Sequence, residues 1–230
     1  MQKKTDEPVA GPKQAPTTPL SAPELKAKLA RFYDRFTDEV SVQRAVREQL
    51  SVRRSIDPAK EAKLKAAKRS ATSAGLVLIA PYLPVFLRNL GLLSPTGSFE
   101  GSGATEAAMT LHFLATGRDA EAGDDLFFIQ HLLGVDHDNG ERLPVPAPHK
   151  DEAERLLGSI IANWPAAQNL KVAGLREAML QRGGILEKAS DTDQLQVSPH
   201  PIDVLLSSIP WGFGAVYHPW MARPMVVDWP

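Results

Sequence analysis

The spacing of apolar positions changes twice along this chain. Leu25, Leu29, Phe32, Phe36 and Val40 recur at helical spacing, and Val42, Val46 and Leu50 continue the stripe after a break. Ser21-Ala22-Pro23-Glu24 supplies a capping box ahead of them, with Pro23 in the first turn where its missing N–H is harmless. Asp57-Pro58 interrupts. A second helix, from Ala59 to Ala71, is rich in Lys and Ala and has little apolar face beyond Leu64. From residue 71 the pattern becomes densely apolar and runs to Leu93, ahead of a Gly/Ser/Pro loop over 94–103. Helices are expected over 104–115, stopped by Gly117, and over 124–133, stopped by Gly134. A third covers 150–163 and ends at Trp164-Pro165, because a residue before proline avoids helical geometry. A fourth covers 172–182 and ends at Gly183-Gly184.

The period then drops to two. Residues 185–188 and 195–197 flank Ser190-Asp191-Thr192-Asp193 as a hairpin, and 215–217 and 225–229 form strands around a turn at 219–224. Residues 202–209 are apolar and fit either a helix or a strand. The expected fold is mainly α within the α+β class: a helical domain with a small C-terminal antiparallel sheet, preceded by extended N-terminal helices. Three regions follow: a Pro-rich disordered lead-in at 1–20, a basic helical arm at 21–70, and a globular part at 71–230.

Composition adds limits. The 230 residues are 43% hydrophobic and 23% charged, an ordinary globular balance. No cysteine is present, so disulfides and thiolate metal sites are excluded. The apolar run 75–93 has the length of a membrane span, but Pro81, Pro84 and Arg88 make it a poor lipid-facing helix, and a soluble protein without a membrane partner is expected. The formal net charge of −1 conceals a split. Residues 1–75 hold 16 Lys/Arg and 9 Asp/Glu, whereas 76–230 hold 10 and 18. Two halves of opposite sign imply different partners or a self-neutralising contact.

Candidate chemistry is sparse. None of the six histidines has a partner at the spacing of a helical metal pair, and no HExxH occurs. Asp136-His137-Asp138-Asn139-Gly140 begins like a calcium loop, but its glycine stands at position 5 and Ala147 occupies position 12, so Asx-turn chemistry explains it better. Gly97, Gly101 and Gly103 lack the Lys-Ser/Thr of a phosphate loop. No catalytic constellation is evident, and no metal, cofactor or small-molecule substrate is expected. A site assembled from His112, Asp136 and Arg176 is the weakest reading. Nine Lys/Arg between Arg44 and Arg69, among them Arg47, Arg53, Arg54 and Lys63, suit a partner-facing surface. Three of four tryptophans, Trp211, Trp220 and Trp229, sit beside prolines within the last twenty residues. An aromatic buries about 150–250 Å², so these rings belong in a core or against a partner. The partner-binding candidates are therefore Arg44, Arg47, Arg53, Arg54, Lys63, Trp211 and Trp220.

Five strings resemble the C-terminal domain of contractile injection system tape measure proteins: SAGLVLIAPYLPVFLRNLGLL (73–93), HFLATG (112–117), FFIQHLLGV (127–135), IANWPAAQNLKVAGLREAMLQRGGIL (161–186) and PIDVLLSSIPWGFGAVYHPWMARPMVVDW (201–229). The resemblance implies a non-enzymatic assembly protein of a phage-tail-like particle. It would help set tube length and dock at the tube and baseplate, with tube, baseplate, spike or tail-cap proteins as partners and self-association a further option. The place implied is the cytoplasm during assembly and then the tube or baseplate. One quantity departs from that role. A helix rises about 1.5 Å per residue, so residues 21–70 would span roughly 75 Å, short for a ruler along a tail tube. Either the chain is a fragment or short member, or its role is docking rather than measuring. The alternative function is a nucleic-acid-binding module that uses the basic stretch 44–69 and a winged-helix-like hairpin at 185–197, although that stretch lacks aromatics for base stacking and nucleic acid is not the favoured partner.

Overall fold

The computed structural model describes residues 68–135 and 142–230. The expectations for the lead-in, the basic arm up to residue 67 and the turn 136–140 lie outside the described residues. Among the described residues there are five α-helices and five strands, with 3-10 segments between them. The helices are α1 (Leu83–Asn89), α2 (Gly103–Thr116), α3 (Phe127–Leu132), α4 (Ala147–Asn163) and α5 (Val172–Leu175), the last continuing into a π turn at Arg176–Leu180. The strands are β1 (Lys68–Ala71), β2 (Gly184–Glu187), β3 (Asp193–Val197), β4 (Ala215–Val216) and β5 (Met225–Asp228). The fold is thus helical with a small sheet.

The apolar run 74–93 is the centre of the core. It forms a 3-10 segment, Ala74–Tyr82, that turns into α1. Ala74 through Ala80 are all buried, so this segment is apolar on every side because every side is covered. Among the described residues no helix is long and apolar enough to cross a membrane. Gly75 lets this backbone touch the π turn: a Cβ there would stand 1.7 Å from the Met179 carbonyl oxygen. Helix α2 packs against α4 and the π turn and stops at Gly117, whose φ of 80° is the left-handed geometry of a helix C-cap. Helix α4 is one-sided, burying Ala153, Leu156, Leu157 and Ile160 at helical spacing. It ends where expected, with Trp164 extended before Pro165.

The sheet corrects two expectations. Its order is β1-β2-β3-β5-β4. The β2–β3 and β4–β5 pairs are antiparallel as expected, but β3 and β5 run parallel, so the sheet is mixed rather than antiparallel. A strand at residues 68–71 also enters it. Lys68–Ala71, placed by composition at the end of a Lys/Ala helix, pairs antiparallel with β2 from Lys68↔Glu187 to Ala71↔Gly184. Helix propensity is a weak prior, and the open edge of β2 outweighs it. The β2–β3 hairpin is therefore flanked by β1 and β5 and is not a free two-stranded wing. The segment 202–209, left open between helix and strand, is a 3-10 helix over Pro201–Ser208.

Register divides the sheet into two faces, with Arg69 on edge strand β1 the exposed exception on the buried one. Ala71, Gly184, Leu186, Leu195, Val197, Met225 and Val227 are buried on one face. Ser70, Ile185, Gln194, Gln196 and Asp228 are exposed on the other. That alternation is the period of two seen along the chain.

Candidate interaction surface

The C-terminal residues 201–229 supply β4 and β5 to the sheet, and indoles fasten the segment to the helical core. Trp164 is fully buried at the end of α4, and its N–H reaches the Leu205 carbonyl and the Ser208 hydroxyl, each at 3.0 Å. Trp211 is half-buried; its N–H donates to the Leu78 carbonyl at 2.8 Å, and its ring meets Tyr82 edge-on at 5.2 Å. Trp220 is half-buried, donates to the Leu132 carbonyl at 3.1 Å and stacks on His218 at 4.6 Å. The backbone around Trp220 approaches α3 so closely that a Cβ at Gly134 would lie 2.1 Å from the Trp220 carbonyl oxygen; Gly134 also takes a φ of 66°. Trp229 meets Phe213 edge-on at 6.0 Å. Both predicted tryptophans thus have one edge anchored in the fold and part of the ring still accessible. Val204 and Tyr217, 72% and 60% exposed, are the most accessible large apolar side chains on this segment among the described residues. The predicted Arg44, Arg47, Arg53, Arg54 and Lys63 lie outside the described residues.

Two arginines in the matched strings are internal ties. The Arg176 Nε donates to the Leu114 carbonyl at 3.0 Å, and its terminal nitrogen pairs with Glu154 at 2.7 Å, joining α2, α4 and the π turn. Arg182 takes both oxygens of Asp203, at 2.8 and 3.1 Å, and also reaches the Ser198 carbonyl. Both Arg182 and Asp203 are more than nine-tenths buried as side chains, and a guanidinium fork is the group suited to a buried bidentate pair. Asp203 also accepts the His200 N–H at 2.7 Å, closing a capping box on the 3-10 helix.

His112 does not share a site with Arg176. It faces Asp124 at 3.4 Å, which is itself held bidentately by Arg118 at 2.6 and 2.7 Å. Burial lowers the His112 pKa and keeps the ring neutral, while the Arg118 hydrogen bonds hold Asp124 far below the usual carboxylate range. Asp136, the third member of that reading, lies outside the described residues. His218 is buried, and desolvation pushes its pKa down to about 4.

The residues missed by sequence reasoning surround Asp193. The sequence pattern places it in the hairpin turn, yet it begins β3 and is fully buried. Its Oδ1 accepts the Ala189 N–H at 3.1 Å; its Oδ2 lies 2.9 Å from His131 Nε2 and 3.8 Å from Arg223 Nε. A cleft of about 160 Å³ opens beside it, lined by His131, Val135, Lys188, Asp193, Met221 and Arg223 among others. Only pairing across four separate segments assembles this group, so no local motif could announce it. Among the described residues no cluster of three or more His, Asp or Glu is placed to hold a metal ion.

Comparison with known proteins returns one family. Its model, described as contractile injection system tape measure protein, matches residues 2–229. Neither a curated protein nor a solved structure matches the chain significantly. A match over nearly the whole chain extends the resemblance beyond the 73–229 covered by the sequence strings, and the chain belongs to the contractile injection system tape measure protein family.

Proposed function

We propose that this protein helps set the tube length of a phage-tail-like contractile particle and does so as a docking component at the tube or baseplate. The observation that carries the reading is the family match across residues 2–229. The family is one of structural proteins, associated with other components of the particle, and the chemistry described above agrees with such a role. The buried arginines, indoles and carboxylates are spent on tying elements together. A docking role suits the described residues, which form one packed hydrophobic core with a five-stranded sheet. In this reading residues 68–230 form the seat, and Arg44, Arg47, Arg53, Arg54 and Lys63 face a partner together with the accessible edges of Trp211 and Trp220.

Deletion of the coding region in a particle-producing host tests it. Loss of particles, or tubes of altered length by electron microscopy, is expected. Particles of normal number and length would overturn the reading.

A further inference from the structure

Strand β1 is lightly held. Of its four residues only Ala71 is buried. Among the described strands it pairs with β2 alone, from Lys68↔Glu187 to Ala71↔Gly184. Its side chains add an ion pair between Lys68 and Glu187 at 3.2 Å and one between Arg69 and Asp125 at 3.7 Å. The Arg69 guanidinium also lies 3.9 Å from the centre of the Phe127 ring. All four charged side chains reach solvent, and ion pairs in water stabilise little.

The chain is fixed again just beyond the strand. Ala74 is fully buried, and its N–H donates to the Arg182 carbonyl at 2.8 Å. Only Thr72 and Ser73 lie between. Ser73 takes φ 54° and ψ 31°, the one positive φ outside glycine among the described residues. Left-handed geometry strains a residue that has a Cβ, which is why glycine usually occupies it. The turn that folds β1 back onto its own β2 is therefore short and strained.

We propose that β1 is exchanged between two copies of this chain, each lending Lys68–Ala71 to the β2 edge of the other. The inference goes beyond the tube-length reading and does not rest on it. An exchanged pair needs no new surface. The register on β2, the Lys68 pair with Glu187 and the Arg69 contacts with Asp125 and Phe127 are the same whichever copy supplies the strand. What differs is the hinge, because Thr72 and Ser73 straighten and the left-handed turn is released in both copies. A short hinge under strain favours exchange over closure. The entropy lost in bringing two chains together opposes it, and protein concentration offsets that loss.

The natural sequence has no cysteine, so an engineered disulfide reports one contact only. Ser70 and Ile185 are register partners and both are exposed. One full-length chain carries Ser70→Cys, and another, lengthened by a size tag, carries Ile185→Cys. The two are incubated together over a range of concentrations, oxidised and run on a non-reducing gel. A mixed disulfide is expected to be the main product. With Asp228→Cys replacing Ile185→Cys its yield should fall about tenfold, because Asp228 lies two strands beyond β2, too far to be bridged. Ser73→Gly in both chains accepts the left-handed turn without strain. It should raise the concentration for half-maximal mixed disulfide about tenfold. Ser73→Pro forbids that φ and should lower the same concentration. Circular dichroism checks that each variant is folded; if Ser73→Pro is not, the mixed disulfide and Ser73→Gly decide. The inference is overturned if the mixed disulfide is no more abundant than in the Asp228→Cys control, or if Ser73→Gly leaves its concentration dependence unchanged.

Discussion

Two apolar stretches, 74–93 and 201–229, look alike as strings, both rich in large apolar residues and broken by prolines, yet the fold uses them in opposite ways. In the first, Ala74 through Ala80 are all buried and the side chains offer no polar group. In the second, Trp211, Phe213, Trp220 and Trp229 are only half-buried, and Val204 and Tyr217 are exposed. The second stretch is attached to the first by polar handles, as when the Trp211 N–H reaches the Leu78 carbonyl. A core segment must be covered on all sides, whereas an indole can close a core with one edge and keep the other in water.

The contrast can be broken most severely at Gly75. Gly75→Ala drives a methyl into the Met179 carbonyl, where backbone cannot yield, and a loss of about 4 kcal/mol or more is expected from denaturant unfolding. Next come the tryptophans. Trp164→Ala removes a fully buried ring and two hydrogen bonds and should cost about 4 kcal/mol; Trp211→Ala, half-buried, should cost about 2–3 kcal/mol. Equal losses would erase the distinction between core and cover.

Acid tests the cover chiefly through His218. The His218 pKa is pushed down to about 4 from an ordinary value near 6.5, so the unfolded chain binds this proton more readily. Stability is then full above about pH 6.5 and falls as pH drops toward 4, by about 3 kcal/mol in all. His218→Phe, which keeps the stack on Trp220, should flatten that slope; His112, also lowered by burial, leaves a residual one. An unchanged slope would remove His218 from the account. The smallest effect is expected from Trp220→Phe, which keeps the ring contact but leaves the Leu132 carbonyl unpaired, at about 1 kcal/mol by thermal unfolding.

What was legible in the sequence was the local part. Helix α4 announces itself by Leu156, Leu157 and Ile160 on one face and by the Trp164-Pro165 stop. The strands around the 219–224 turn follow from alternation at Met225–Asp228. What was not legible required distant partners. Lys68–Ala71 is a strand only because β2 offers it an edge, and no count of Lys and Ala can reveal that. The parallel pairing of β3 with β5 depends on the path of the chain through residues 201–216. Asp193 has the composition of a turn and the position of a buried strand residue, and the groups that make that position tolerable, His131 and Arg223, lie far from it in sequence.

The placement of β5 bears on how the protein is made. Because β5 sits between β3 and β4, residues 225–228 complete the interior of the sheet rather than decorate its rim. On the ribosome, β1 emerges more than a hundred residues before the β2 strand it pairs with, and the sheet cannot close until β5 has also been synthesised. Such long-range pairing slows folding and leaves strand edges bare in the meantime. Assembly-competent protein would therefore appear only after translation has passed residue 228, and a nascent chain stalled short of it would present open β3 and β4 edges to the quality-control machinery.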